Sequence, residues 1–193
     1  MVRLLFFAGS ARKASYNQKL ARLGQKIAQA NGIEAVFVDL SDYPMPLYNG
    51  DLEAAEGPPQ KASEFKALLS EYQGVLIASP EYNSSITPLL KNTLDWVTRV
   101  RAKGESGLEV FRSRVFAISG ASPGYYGTMR SLLHLRQVLA VGMGALVIPQ
   151  QVAVPKANEA FEEDGSLKQE PMQKAYTQLV EALAIAARKF ASG

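Results

Sequence analysis

Hydrophobic positions follow two rhythms along the chain. Leu4, Leu5, Phe6 and Phe7 form a short unbroken apolar run, and a second run, GVLIAS, spans Gly74–Ser79. Runs of this length without a polar face suit parallel strands covered on both sides. Ile33–Leu40, Arg114–Ser119 and Gly144–Pro149 read as further strands. Between them the period lengthens. Leu20, Leu23 and Ile27 recur at helical spacing within Ser15–Ala30, and Leu132, Leu135 and Leu139 within Thr128–Val141. Asn31-Gly32 is a helix stop. Thr87-Pro88 is a helix start, with Thr as N-cap and Pro at the first helical position, leading to about Val100. Lys61–Tyr72 and the alanine-rich Pro171–Phe190 read as two more helices. Ser41–Gln60, punctuated by Pro and Gly, is predicted to be a long irregular loop. Pro80–Ser85 and Arg101–Gly107 are shorter loops, and Val152–Gln169 is a mostly irregular extension.

Strands that alternate with helices predict an α/β three-layer sandwich, a parallel sheet with helices on both faces. For five strands the expected order is 2-1-3-4-5, the flavodoxin-like arrangement. Its ligand site lies beyond the carboxyl ends of strands 1 and 3. Three loops leave the carboxyl ends of strands 1, 3 and 4: Ala8–Asn17, Ser79–Ser85 and Ser119–Thr128. With 193 residues and no repeat or low-complexity tract, residues 1–193 are expected to form one domain.

Composition narrows the chemistry. The 21 basic and 18 acidic residues are spread along the chain, with a net charge of +3 and no cationic block, which argues against nucleic acid. No apolar run is long enough to cross a membrane or to serve as a signal peptide, so a cytoplasmic protein is expected. Cysteine is absent, which excludes disulfides and thiolate nucleophiles, and a zinc site would rest on one histidine and carboxylates. That histidine, His134, lies in a predicted helix and reads as a satisfied structural residue rather than a catalytic base. Redox work would need a bound cofactor.

Gly9 ends the first apolar run and allows a tight turn. Ser10, Arg12, Ser15 and Asn17 crowd the loop and the first helical turn after it. A helix N-terminus presents unpaired N–H groups and partial positive charge, so it attracts anions. The loop is either a phosphate cradle or an ordinary capped turn with Ser15 as N-cap. It lacks the glycines of a dinucleotide-binding turn and the Gly-Lys-Ser/Thr of a P-loop. Asp39, after the second strand, therefore reads as a strand-end or capping residue. Hydroxyls and an arginine suit a terminal monophosphate. Pro80-Glu81-Tyr82-Asn83 offers backbone N–H groups, a flat ring and an amide. It suits the rim of a heteroaromatic ring, or is a turn with an exposed tyrosine.

Taken together, GSARKASYN at Gly9–Asn17, SPEYN at Ser79–Asn83, LKNTLDW at Leu90–Trp96 and HLRQVL at His134–Leu139 resemble the NADPH-dependent FMN reductase family, in its chromate and quinone reductase branch. The resemblance implies noncovalently bound FMN with NAD(P)H as co-substrate. It implies Ser10, Arg12, Ser15, Tyr16 and Asn17 around the phosphate. Pro80, Glu81, Tyr82 and Asn83 would line the isoalloxazine, largely through backbone groups, with Ser122 and Gly124 at its other edge. It implies no catalytic side chain and no metal. LKNTLDW would pack beneath the site, with Asp95 and Trp96 structural. A homodimer or homotetramer is implied, with the apolar helix around Leu94, Trp96 and Val97 near the subunit contact. Two departures stand out: the family often has paired glycines where this chain has Gly127-Thr128, and Tyr125-Tyr126 is bulky.

The reaction so implied is two-electron reduction of quinones or similar acceptors (azo compounds, free flavin, chromate) by a ping-pong mechanism. A flavodoxin-type electron carrier is one alternative, against which the net charge of +3 counts, because such carriers tend to be acidic. A flavin-dependent regulatory protein is another.

Overall fold

The computed structural model describes residues 2–102 and 104–192. Five parallel strands form one sheet: β1 (Arg3–Ala8), β2 (Glu34–Val38), β3 (Gly74–Ala78), β4 (Val115–Ala121) and β5 (Leu146–Val154). Their order is β2-β1-β3-β4-β5, as the pattern predicts. The helices are α1 (Tyr16–Ala30), α2 (Gly50–Glu56), α3 (Gln60–Ser70), α4 (Pro88–Arg99), α5 (Glu109–Arg112), α6 (Met129–Gln137) and α7 (Glu170–Ala191). A π-helical turn, Val138–Gly142, follows α6.

The alternation of side chains along each strand divides the core in two. Leu4, Phe6, Leu76, Ala78 and Ala117 join Leu20 of α1 and Leu179 and Leu183 of α7 on one side. Leu5, Phe7, Val75, Ile77 and Ile118 join Phe65 of α3, Leu94 of α4 and Leu132 of α6 on the other. The three central strands are buried on both faces, which is why their sequences are unbroken apolar runs. Tyr176 fastens α7 to α1 by donating its hydroxyl to the Leu20 carbonyl at 2.7 Å, and its burial pushes the phenol pKa up.

Four expectations need correction. Ser41–Gln60 is not uniformly irregular: a 3-10 turn at Leu40–Asp42 and α2 lie within or beside it. This segment is held by α4, from the LKNTLDW stretch and from Arg99 at its end. Asn92 Nδ2 and Trp96 Nε1 donate to the Pro46 carbonyl at 2.8 and 2.7 Å, and Arg99 Nε pairs with Glu53 at 2.8 Å. Second, β5 runs on to Val154, because Ser119, Gly120 and Ala121 at the end of β4 need backbone partners, which Val152, Ala153 and Val154 supply after a register shift. Third, Leu94, Trp96 and Val97 are not available for a subunit contact, since each is at most 1% exposed within the chain's own core. Fourth, α5 lies in a stretch where the sequence pattern announced no element.

Candidate functional site

The loop after β1 is shaped by close packing. Gly9 has an ordinary backbone conformation, and its role is space: a Cβ there would lie 3.0 Å from Leu90 Cβ and 3.2 Å from Thr87 Oγ1. Thr87 donates to the Gly9 carbonyl at 2.6 Å while accepting from the Leu90 N–H, so the cap of α4 also anchors the first loop. Ser15 caps α1 by accepting from the Gln18 N–H at 3.3 Å, which leaves its own hydroxyl proton to donate outward. Tyr16 and Asn17 open the helix, where backbone N–H groups have no intrahelical acceptor. Gln18 steadies the loop by donating to the Ser10 carbonyl at 3.0 Å and to Asp39 at 2.8 Å. Asp39 also caps the turn after β2 by accepting from Ser41 N–H, the capping role expected of it.

Arg12 is exposed, with its guanidinium 5.4 Å from the centre of the Tyr16 ring. Among the described residues it forms no ion pair, and it lines the cleft beside the N-terminus of α1. Asn17 is different. It is buried, its Nδ2 donates to the Ala121 carbonyl at 2.8 Å, and its Oδ1 accepts from the Ala121 N–H at 2.9 Å. The side chain thereby extends the pairing at the end of β4, and only its backbone remains for a ligand.

The loop after β3 turns sharply, with Tyr82 and Ser85 paired in both directions and Asn83 and Ser84 at positive φ. Glu81 is drawn away by the start of α6. Its carboxylate, only 7% exposed, accepts from Arg130 Nε at 2.7 Å and from the Ser131 N–H at 3.1 Å. An acidic group at a helix N-terminus is favourable there. Tyr82 projects with 57% exposure.

The loop after β4 carries the Gly127-Thr128 pair. Both residues have positive φ, 57° and 84°, a conformation strained for a β-branched residue by about 1–2 kcal/mol. Thr128 is fully buried and its Oγ1 has no partner among the described residues. A glycine pair fits this geometry without strain. Tyr125 and Tyr126, 81% and 55% exposed, stand out into solvent and leave the cleft open.

These loops enclose a cleft of about 320 Å³, lined by Ser10, Arg12, Ser15, Tyr16, Asn17, Pro80, Glu81, Tyr82, Ala121, Ser122 and Pro123. Its size lies at the lower end of cofactor sites. Of the residues named from the sequence, Asn83 and Gly124 do not line it. Asn83 occupies the turn, and Gly124 serves through its carbonyl, which accepts from Gly127 and Lys156 N–H. Ala121 and Pro123 were missed, having no polar group to draw notice. His134 is exposed and has a side-chain partner. Its Nδ1 lies 3.1 Å from Ser85 Oγ, at the side of a separate hollow of about 660 Å³ that no residue of the first or third loop lines. No group of residues among those described has the make-up of a metal site.

The sequence profile of the NADPH-dependent FMN reductases matches residues 2–159. The chain belongs to the NADPH-dependent FMN reductase family. It is 32% identical over 189 residues to an NAD(P)H-dependent FMN reductase of Pseudomonas aeruginosa, covering 97% of this chain and 96% of that one. A quinone reductase of Escherichia coli is 33% identical over 147 residues, 76% of this chain and 73% of that one. The fold matches the structure of FerB, a flavoenzyme NAD(P)H:(acceptor) oxidoreductase from Paracoccus denitrificans. The TM-score is 0.81 at 28% identity, covering 98% and 99% of the two chains. In this FMN reductase family member the cofactor is FMN and the reductant NAD(P)H, and the residues at the cleft suit the group. The first loop lines the cleft with hydroxyls, a guanidinium and a helix N-terminus, and the second with the exposed Tyr82 ring. Among the described residues no helix is long and apolar enough to cross a membrane.

Proposed function

We propose that this chain is an FMN-dependent NAD(P)H oxidoreductase that reduces quinones or similar acceptors by two electrons. Azo compounds, free flavin and chromate belong to the acceptor class. The observation that carries the reading is the meeting of three loops, from the ends of β1, β3 and β4, around one cleft with Arg12 and the α1 N-terminus at its side. Bound FMN supplies the hydride chemistry. The chain's own residues bind and orient. Arg12, Ser10, Ser15 and the first N–H groups of α1 take the phosphate. Pro80–Tyr82, steadied by Glu81 on Arg130 and by the turn at Asn83, hold the ring rim, and Ser122 stands at the opposite edge, with Gly124 shaping its loop. No side-chain acid or base is required.

The reduced nicotinamide and the acceptor take turns at one open side of the cleft, giving ping-pong kinetics. Supporting this are the absence of a second nucleotide-binding fingerprint beside the first loop and the absence of any cysteine to store electrons. The protein works in the cytoplasm as a homodimer or homotetramer. Exposed Met129, Leu133 and Val141 on and after α6 supply an apolar surface for self-association.

The test is direct. Purified protein is expected to be yellow, to release FMN and not FAD on denaturation, and to run as an oligomer by light scattering at micromolar concentration. Double-reciprocal plots of NAD(P)H oxidation at several quinone concentrations are expected to be parallel. Release of FAD, or no flavin uptake on reconstitution, refutes the cofactor assignment. Intersecting lines refute alternating use of one site. Flavin without NAD(P)H-dependent turnover points instead to an electron carrier or regulator, and a monomer removes the assembly.

A further inference from the structure

The segment from residue 155 to 169, between β5 and α7, reaches two of the three site loops. At its start the N–H groups of Lys156 and Ala157 donate to the carbonyls of Gly124 at 3.3 Å and Ser122 at 3.0 Å. Further on, Phe161 and Leu167 pair as an antiparallel bridge, closed by Glu162 N–H donating to the Ser166 carbonyl at 2.8 Å. Lys26 of α1 donates to the Asp164 carbonyl at 2.8 Å, which fastens this small hairpin along α1. The hairpin lays Phe161 against Tyr16. The rings are parallel to within 7°, with centroids 6.3 Å apart, and Tyr16 in turn lies under the Arg12 guanidinium. Lys19 Nζ stands 5.9 Å from the Phe161 ring. Phe161 lies just beyond residues 2–159, the part matched by the family.

An exposed arginine on a long side chain loses much rotamer freedom when it engages an anion, and any contact that limits that freedom beforehand strengthens binding. Tyr16 limits it, and Tyr16 is itself held by Phe161. We propose that Phe161 is a positioning residue for the phosphate side of the cleft: through the Tyr16 ring it holds Arg12 ready for a monophosphate ester. This rests on the reading of the Arg12 loop as the phosphate end of the flavin site.

The test compares FMN with riboflavin, which has the same ring system and no phosphate. Each is titrated into the flavin-free full chain by fluorescence. Phe161→Leu keeps an apolar side chain in the hairpin and removes the flat face. It is expected to weaken FMN binding about three- to tenfold, the range of an aromatic pair. Riboflavin binding is expected to be unchanged. Phe161→Tyr is expected to restore FMN affinity, and Phe161→Leu to add nothing when Arg12 is already Ala. Equal losses for both ligands mean a general structural role and overturn the proposal, as does unchanged FMN affinity. If Phe161→Leu destabilises the hairpin, the Phe161→Tyr titration carries the same comparison: failure to keep wild-type FMN affinity in a folded protein overturns it. Should Arg12→Ala also leave FMN binding unaltered, the phosphate reading has failed. A loss with Arg12→Ala but not with Phe161→Leu removes the positioning role alone.

Discussion

Arg12→Ala is expected to weaken FMN binding about tenfold to a hundredfold, since charge-assisted hydrogen bonds contribute about 1.5–3 kcal/mol each. It is expected to leave the melting of the flavin-free protein unchanged. The two halves of this expectation have separate reasons. The guanidinium is exposed and rests only on the edge of the structure, over Tyr16, so truncation strands no buried partner. Its donors stand beside a helix N-terminus whose own N–H groups favour an anion. Arg12→Lys keeps the charge but loses the planar fork, so an intermediate loss is expected. Calorimetric or fluorescence titration measures both. An affinity unchanged by Arg12→Ala would move the phosphate to another part of the cleft.

Asn17→Ala is expected to destabilise the protein by about 2–6 kcal/mol, because it strands both backbone groups of buried Ala121, at about 1–3 kcal/mol per unsatisfied group. The measurement is the denaturant midpoint of the flavin-free chain. Had the side chain been a phosphate ligand, the loss would fall on FMN affinity with little change in stability. The geometry makes the opposite prediction: the Asn17 amide is occupied at both ends, 2.8 and 2.9 Å from Ala121. FMN affinity is expected to fall only as a consequence, because Ala121 forms part of the cleft wall between the first and third loops. A stable Asn17→Ala variant with selectively poor FMN binding would reverse this assignment.

These two neighbours show where local pattern stops being informative. The buried strands were legible because a strand covered on both faces must be apolar throughout, as Leu4–Phe7 and Val75–Ala78 are. Helix ends were legible where the cap is a near neighbour: Ser15 to Gln18, Thr87 to Leu90, Asn31 back to Ile27. The short α2 was not. It buries no residue, so no apolar period marks it; Arg99 of α4 holds it through Glu53, while Asn92 and Trp96 hold the loop before it at Pro46. In α5 four residues are too few to show a period.

The same division runs through the site. Strand order and the three loops followed from the alternation of strand and helix, since parallel crossovers bring those loops to one end of the sheet. What each polar side chain does there was settled by partners remote in the chain. Asn17 finds Ala121, 104 residues away, Glu81 finds Arg130 49 residues on, and Tyr16 meets Phe161 across the whole sheet topology. A loop asparagine or glutamate has the same donors and acceptors whether it faces a ligand or a backbone group. Only the packed structure, by placing the Ala121 backbone against Asn17 and the α6 N-terminus against Glu81, selects between them.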